Sequence, residues 1–560
     1  DPDPFVRRIA LEIVAELPDP VATGLPLVER LRDEDPGVRL AALRAVARSN
    51  DGGAREAALT LLDDLDPEIR AAAADAVPAD PGQGGVAESL HAHLADPNVA
   101  ARVRIAAALL RLGQDGGART ALVAAARTSI PEGRAAAMVA LGELRMEADL
   151  VTAGLGDKDP SVRAAAARAL PTFGPPASTE QLLAALADED PTVRDAVSDA
   201  IASLGPDVAG RVAAYLADPR REATALSVLV RLPNADPQVL RSYARHEQTR
   251  AVHFHRLWQQ LSPHDDERVK LLVAGLRHRA LRHGEHAVHA LAPFGDHAGA
   301  DLAIQDLTSR DPNQRANAVE TLEALSDSEV VRPLLSIWEP LPATHPADGA
   351  VLRSVLEEDD PWIRACAAYA AAAFPDSGLQ GAVQELADRD PDATVRQAAG
   401  QTVREDMRME TLPKLSLMDR MVALQQVPLF RELSPADLKL VAESLTENAY
   451  ADGTVIAEQG EPGEAMHVVV SGEVRVLVGD EATEVARRGP GYIVGEMAVL
   501  AEQPRMANLV AVGELRTLSI DRRRFRRILR DRPDAALAVV RELCARLQDA
   551  SSGRGPNPAP

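Results

Sequence analysis

Two periods run along this chain. Over the first four hundred residues the apolar positions recur as on a helix: after Asp159, residues Val162, Ala166, Ala169 and Leu170 share one helical face. Pro171 and Gly174-Pro175-Pro176 end that helix, Ser178 or Thr179 starts another, and Leu182, Leu183 and Leu186 form its apolar side. The same pair of short helices returns with the unit Asp-Pro-x-[Val/Ile]-Arg at Asp3, Asp35, Asp66, Asp159, Asp190 and Asp360. Looser copies sit at Asp96, Asp218, Asp236, Asp311 and Asp390. Neighbouring clear copies lie about 30–32 residues apart, and Pro131 falls near the start missing between Asp96 and Asp159. Asp caps the first free N–H groups, and Pro fits the first helical position because it has no N–H to lose. Neither short helix buries its face alone, so neighbours must stack into an α-solenoid, about eleven to thirteen units over residues 1–405. From Asn448 to Ile520 the period shortens. The runs Gly453–Ile456, Met466–Val470, Val474–Val478 and Leu509–Val512 are β-type, with Gly460, Gly463, Gly472, Gly479, Gly489 and Gly491 among the separators. Short strands at such spacing predict a small barrel or roll.

Composition supports the helical part. Of 560 residues, 46% are hydrophobic but only 3% aromatic, so the core is mostly Ala, Leu and Val and suits closely stacked small helices. A net charge of −23 argues against bulk electrostatic binding to nucleic acid or to an anionic membrane. Cys366 and Cys544 are too few for a disulfide framework and read as buried thiols in a reducing compartment. No signal peptide is visible, and the longest apolar run, Ala365–Phe374, is about half the ~20 residues of a membrane span. The chain opens on Asp1 rather than Met, so a preceding segment is expected.

The chemistry concentrates between Val494 and Ala507. Gly495-Glu496-Met497-Ala498 opens a short helical turn with outward N–H groups, and Pro504-Arg505-Met506-Ala507 follows. Helix N-termini and nests of N–H groups attract anions, and a guanidinium adds a planar, permanently charged fork for phosphate oxygens. An ionised Glu accepts from a sugar hydroxyl. Together they describe a pocket for a small phosphorylated sugar with one free hydroxyl. This set, with Pro428-Leu-Phe-Arg-Glu-Leu-Ser-Pro435, Gln459-Gly-Glu-Pro-Gly463 and Val470-Ser-Gly472 in the same order, resembles the cyclic nucleotide-binding domain over about residues 418–549. The resemblance implies that Gly495, Glu496, Met497 and Ala498 begin a phosphate-binding cassette, with Glu496 on the ribose 2′-hydroxyl and Arg505 on the cyclic phosphate. Backbone N–H groups of Ala498 and of Met506 or Ala507 would complete the cradle. Met506 stands where the family commonly has Ala, Ser or Thr; lacking the hydroxyl that favours guanine, it argues for cAMP over cGMP. Its bulk leaves open a ligand-silent roll. Arg546, on a last amphipathic helix over Ala535–Gln548, sits where some members place a residue that touches the ligand.

The Asp-Pro units resemble HEAT repeats of the short type found in bilin-lyase-like proteins, which implies a scaffold; neither cysteine has a catalytic setting. The Arg of each unit is expected to pair with a neighbouring Asp along the ridge. Domain limits are then 1–405 for the solenoid, 406–427 for a linker and coupling helix, 428–550 for the nucleotide domain and 551–560 for a disordered tail. The helix Met418–Gln426 precedes Pro428-Leu-Phe430, as does the element with which the resembled domain reports its ligand state. The domain order and the junctions Leu415–Arg420 and Val427–Phe430 are similar to the cytosolic part of bacterial transporters of nucleotide-translocase type. That similarity implies a cytoplasmic module, tethered at the inner membrane by a preceding domain.

Two further signals have plainer readings. Nine of the thirteen histidines gather between Arg245 and Gly299, and His283, His286 and His289 recur every third residue, but only Glu285 is nearby as a carboxylate and it points elsewhere on the wheel. A solvated or partner-facing helix is expected, with metal as the alternative. The basic run Asp521–Arg532 reads as a helix with Phe525, Ile528 and Leu529 inward; with no helix-turn-helix after it, a partner-facing surface is expected rather than nucleic acid. The expected function is a non-enzymatic regulatory module that binds a cyclic nucleotide and passes its occupancy to a scaffold whose partner is a protein or an upstream domain. The alternative is an interaction scaffold with an inert roll.

Overall fold

Capping chemistry sets the starts of the repeat helices. Asp159, in extended conformation, accepts from the Ser161 N–H while Pro160 takes the first position of the helix Pro160–Ala169. The same arrangement opens Pro4–Ala15, Pro36–Arg48, Pro67–Asp75, Pro191–Ser203 and Pro361–Ala370. In the gap of the repeat, Pro131–Glu143 begins without a side-chain cap. The computed structural model describes residues 2–16, 26–49, 51–77, 85–174, 178–294, 302–303, 306–307, 312–323, 328–339, 349–405, 414–430, 433–479, 482–496, 499, 503–531, 536–537 and 540. The last amphipathic helix, with Arg546 and Cys544, and the tail therefore lie largely or wholly outside the described residues.

The ridge arginines pair as expected, and their partners show a longer signature than the sequence suggested. Arg163 reaches Asp188 through Nε and Nη2, both at 2.8 Å, and Arg134 reaches Asp157 the same way at 2.7 Å. Arg7–Asp33, Arg39–Asp64, Arg70–Asp96 and Arg364–Asp390 repeat this fork. The acceptor stands two residues before the next cap, so the unit is Asp-x-Asp-Pro rather than Asp-Pro. Asp96 and Asp390 are ridge acceptors of this kind: Asn98 caps Val99–Arg111, and Asp392 accepts from the Thr394 N–H. Burial of both partners makes the pair costly to break. We expect Arg163→Ala to lower stability by about 3 kcal/mol, while Arg211→Ala, which breaks the exposed Arg211–Glu180 pair, changes it by less than about 1 kcal/mol. Chemical denaturation of both variants, followed by circular dichroism, checks the contrast; equal midpoints would contradict it.

The chain divides into two compact units, Asp1–Ser242 and Tyr243–Pro560. In the first, close approach of neighbouring helices depends on small residues: a Cβ at Gly142 would lie 2.6 Å from Ala169 Cβ. The histidine-rich stretch forms two 25-residue helices, Pro237–Leu261 and Glu267–Leu291. Within the second unit His283 and His286 turn inward to a carboxylate from the other helix. His283 Nδ1 lies 2.7 Å from Glu247 Oε2, and His286 Nδ1 lies 3.6 Å from the same oxygen. Burial opposes the Glu247 charge, but these imidazoles hold its pKa down, at about 2. His283 is thus buried beside a carboxylate instead of solvated on an open face. Cys366 is buried, which pushes its thiol up and away from reactivity.

The β domain is a six-stranded antiparallel sheet: β1 Thr446–Tyr450, β2 Val455–Ala457, β3 Ala465–Val478, β4 Thr483–Arg488, β5 Ile493–Val494 and β6 Asn508–Asp521. The order is β1-β6-β3-β4, with β2 also on β6 and β5 also on β3. The long strands β3 and β6 carry register shifts at Val469/Ser471 and Ser471/Glu473; such bulges bend a strand and let a sheet curl. The curled face buries Val469, Val474, Val494, Leu509, Ala511 and Leu515, with Tyr450 against them.

A helix joins repeats to roll. Leu417–Gln425 starts with a capping box between Ser416 and Asp419. Asp419 also accepts from Tyr369 Oη at 2.7 Å and from Gln401 Nε2 at 3.0 Å, both on repeat helices. On the other side, the Leu415 N–H donates to Glu447 of β1 at 2.9 Å and Arg420 Nη1 to the Leu445 carbonyl at 3.1 Å. Gln426, past the helix's C-terminal end, packs beside Gly491, two residues before β5.

Candidate nucleotide site

Strand β5 delivers the chain to the site. Gly495 follows it with φ of 81°, and a Cβ there would lie 2.0 Å from Arg505 Nη1. Conformation and close approach both require glycine. Glu496 comes next, half-buried. Arg505 enters from the other side, its backbone pinned by the turn the sequence marks with Gly460 to Pro462. The Arg505 N–H donates to Glu461 O, and the Gly460 N–H donates to Arg505 O, both at 2.8 Å. Pro504 also bridges Pro462.

Arg505 is only 8% exposed. Its Nη1 donates to the Gly495 carbonyl at 3.2 Å and its Nη2 to the Ala465 carbonyl at 2.5 Å. Burial lowers its pKa, while the charges of Glu461 and Glu496 act to raise it; an arginine nonetheless stays charged. Among the described residues no carboxylate forms an ion pair with it. A buried cation that leans on neutral carbonyls retains donors and unneutralised charge for an anion.

The structure thus brings Gly495, Glu496 and Arg505 to one place. Met497 and Ala498 fall outside the described residues, as does Arg546. Met506 is 63% exposed, and Ala507 is partly buried beside it. Sequence reasoning missed His467. It lies on β3 opposite Val494, is 7% exposed, and packs edge-on to the Tyr450 ring with centroids 6.5 Å apart. Its signal was a lone imidazole inside a valine run.

Residues 447–532 match the family model described as the cyclic nucleotide-binding domain, and residues 24–79 and 148–247 match HEAT repeats. The chain is 32% identical over 106 residues to the cAMP-dependent protein kinase regulatory subunit of Colletotrichum orbiculare, covering 19% of this chain and 27% of that protein. It is 30% identical over 135 residues to the corresponding subunit of Dictyostelium discoideum, covering 23% and 41%. A solved structure of the regulatory domain of Toxoplasma gondii PKA with cAMP is 28% identical, covering 21% and 46%, with a TM-score of 0.20. The chain spans 27% to 41% of the length of these curated relatives. This protein is therefore a helical HEAT-repeat array followed by a C-terminal β-sheet cyclic nucleotide-binding domain.

Proposed function

We propose that this chain is a non-enzymatic regulatory module whose roll binds cAMP in preference to cGMP and whose helix Leu417–Gln425 passes the bound state to the repeats. The observation that carries it is the buried Arg505, without a carboxylate partner among the described residues, set beside Gly495 and Glu496. Met506 offers no hydroxyl to a guanine, which favours adenine. For transmission, the helix whose C-cap residue Gln426 lies beside Gly491 near the cassette is the one whose Asp419 accepts from Tyr369 and Gln401. Ligand biases such a device only by its differential affinity for the two arrangements.

The experiment is hydrogen exchange on the whole chain with and without cAMP. We expect ligand to change protection in the helices 361–370 and 393–405 as well as in the roll. In a Tyr369→Phe, Asp419→Asn double variant, cAMP affinity should move less than about threefold, a shift worth under 1 kcal/mol, while the change in the repeat helices disappears. Its persistence would rule out this route. The finer reading, a cytoplasmic module tethered to a transporter of nucleotide-translocase type, draws on the order of the domains and on the junctions Leu415–Arg420 and Val427–Phe430. Among the described residues no helix is long and apolar enough to cross a membrane.

A further inference from the structure

We propose that His467 is a further affinity-setting residue of the nucleotide pocket, which takes up a proton when the negative charge of a cyclic phosphate arrives at Arg505. The inference rests on the nucleotide reading above and adds to it a residue and a proton. Its basis is placement. His467 and Ala465 fall on the same face of β3, since alternate residues of a strand point the same way. Ala465 supplies the carbonyl that takes Arg505 Nη2, and Val494, the ladder partner of His467, directly precedes the Gly495 carbonyl that takes Nη1. The guanidinium is thus held at the two backbone carbonyls that flank the His467–Val494 pair, near enough for its charge to act on the imidazole. Moreover, His467 Nδ1 is buried without a hydrogen-bond partner among the described residues, and an unpaired buried polar atom calls for an explanation.

The charges around the imidazole decide the sign. Among the described residues the ionisable groups facing it are Arg505 and, on β1, Tyr450; Glu461 and Glu496 act on Arg505 from beyond. The ladder partners Val494 and Ser519 carry no charge. With no ligand, burial first and the Arg505 charge second push the imidazole down to about 4. A bound phosphate offsets the Arg505 charge, so protonation becomes easier in the complex than in the free protein. Linkage then requires binding to take up protons and to tighten as pH falls. Comparison with a His467 variant isolates the contribution of the histidine.

The test is isothermal titration of the whole chain with cAMP at about pH 5 and about pH 7.5, in buffers of different ionisation heat so that protons are counted. The pair spans the titration range of a histidine returning toward its ordinary value. For the wild type we expect net proton uptake at the lower pH. We also expect its affinity relative to His467→Phe, which keeps an aromatic ring against Tyr450, to improve by up to about tenfold between the two pH values. His467→Gln, which keeps a polar group, should behave as His467→Phe does. Intact binding with no proton uptake, or with one pH profile shared by wild type and both variants, would overturn the role of His467. No cAMP binding by the wild type at either pH would instead overturn the nucleotide reading itself, and this inference with it.

Discussion

Arg505→Ala is expected to weaken cAMP binding by roughly 30- to 5000-fold, the equivalent of about 2–5 kcal/mol for one partner of a desolvated charge pair. The size follows from burial. In water a lysine or arginine meets phosphate with modest gain, but Arg505 is mostly buried and its neutral carbonyl partners do not cancel its charge. Helical content should not change, because most helix lies in the repeats. Arg505→Lys keeps a point charge but loses the planar fork, so an intermediate loss is expected. Titration calorimetry with far-ultraviolet circular dichroism on each variant checks both statements. An affinity unchanged in Arg505→Ala would end the assignment of the site.

Gly495→Ala should reach a comparable loss by another route. An alanine at φ of 81° is strained by roughly 1–2 kcal/mol, and its Cβ would fall 2.0 Å from Arg505 Nη1. Either Gly495 leaves its place at the mouth of the cassette or the guanidinium swings away from the Gly495 and Ala465 carbonyls. Both displace the two halves of the anion site, and misplacement on this scale should cost at least about tenfold in affinity, or 1.4 kcal/mol. Gly453→Ala is the matched control. Its φ is 76°, but a Cβ there meets nothing within 4 Å. It should lower the thermal midpoint while leaving cAMP affinity within a factor of about two. If both variants bind alike, steric support of Arg505 by Gly495 is not part of the site.

Much of the architecture was legible because local chemistry specifies it. Asp followed by Pro sets a helix start, so the clear caps at Asp3, Asp35, Asp66, Asp159, Asp190 and Asp360 reappear at helix N-termini. What the motif concealed was the second aspartate. Asp33, Asp64, Asp157 and Asp188 look like surface charge in the sequence, yet each receives an arginine from about 25 residues away. For the same reason Asp96 and Asp390 passed for caps. The two 25-residue helices were missed as a pair because no strong breaker interrupts either of them, and the Glu247 partner of His283 stands 36 residues distant.

The candidate site divides the same way. Gly495, Glu496 and Arg505 form a motif of fixed spacing within one short stretch of sequence, so they were legible together, although the turn at 460–462 and the Ala465 carbonyl also hold Arg505 in place. His467 belongs to no such motif. Its position depends on β3 lying beside β5, a pairing that only tertiary structure creates, and its burial depends on a roll closing over it. A short run such as Met466–Val470 discloses a strand but not which face receives a charge from another loop.

The most direct measurement is calorimetric titration of the intact wild-type chain with cAMP, and with cGMP in parallel. Saturable binding of one cAMP per chain, tighter than that of cGMP, is the predicted result. Absence of binding by either nucleotide at millimolar concentration, where even an affinity of about −4 kcal/mol would register, would contradict it and leave the roll an inert cap on a helical scaffold.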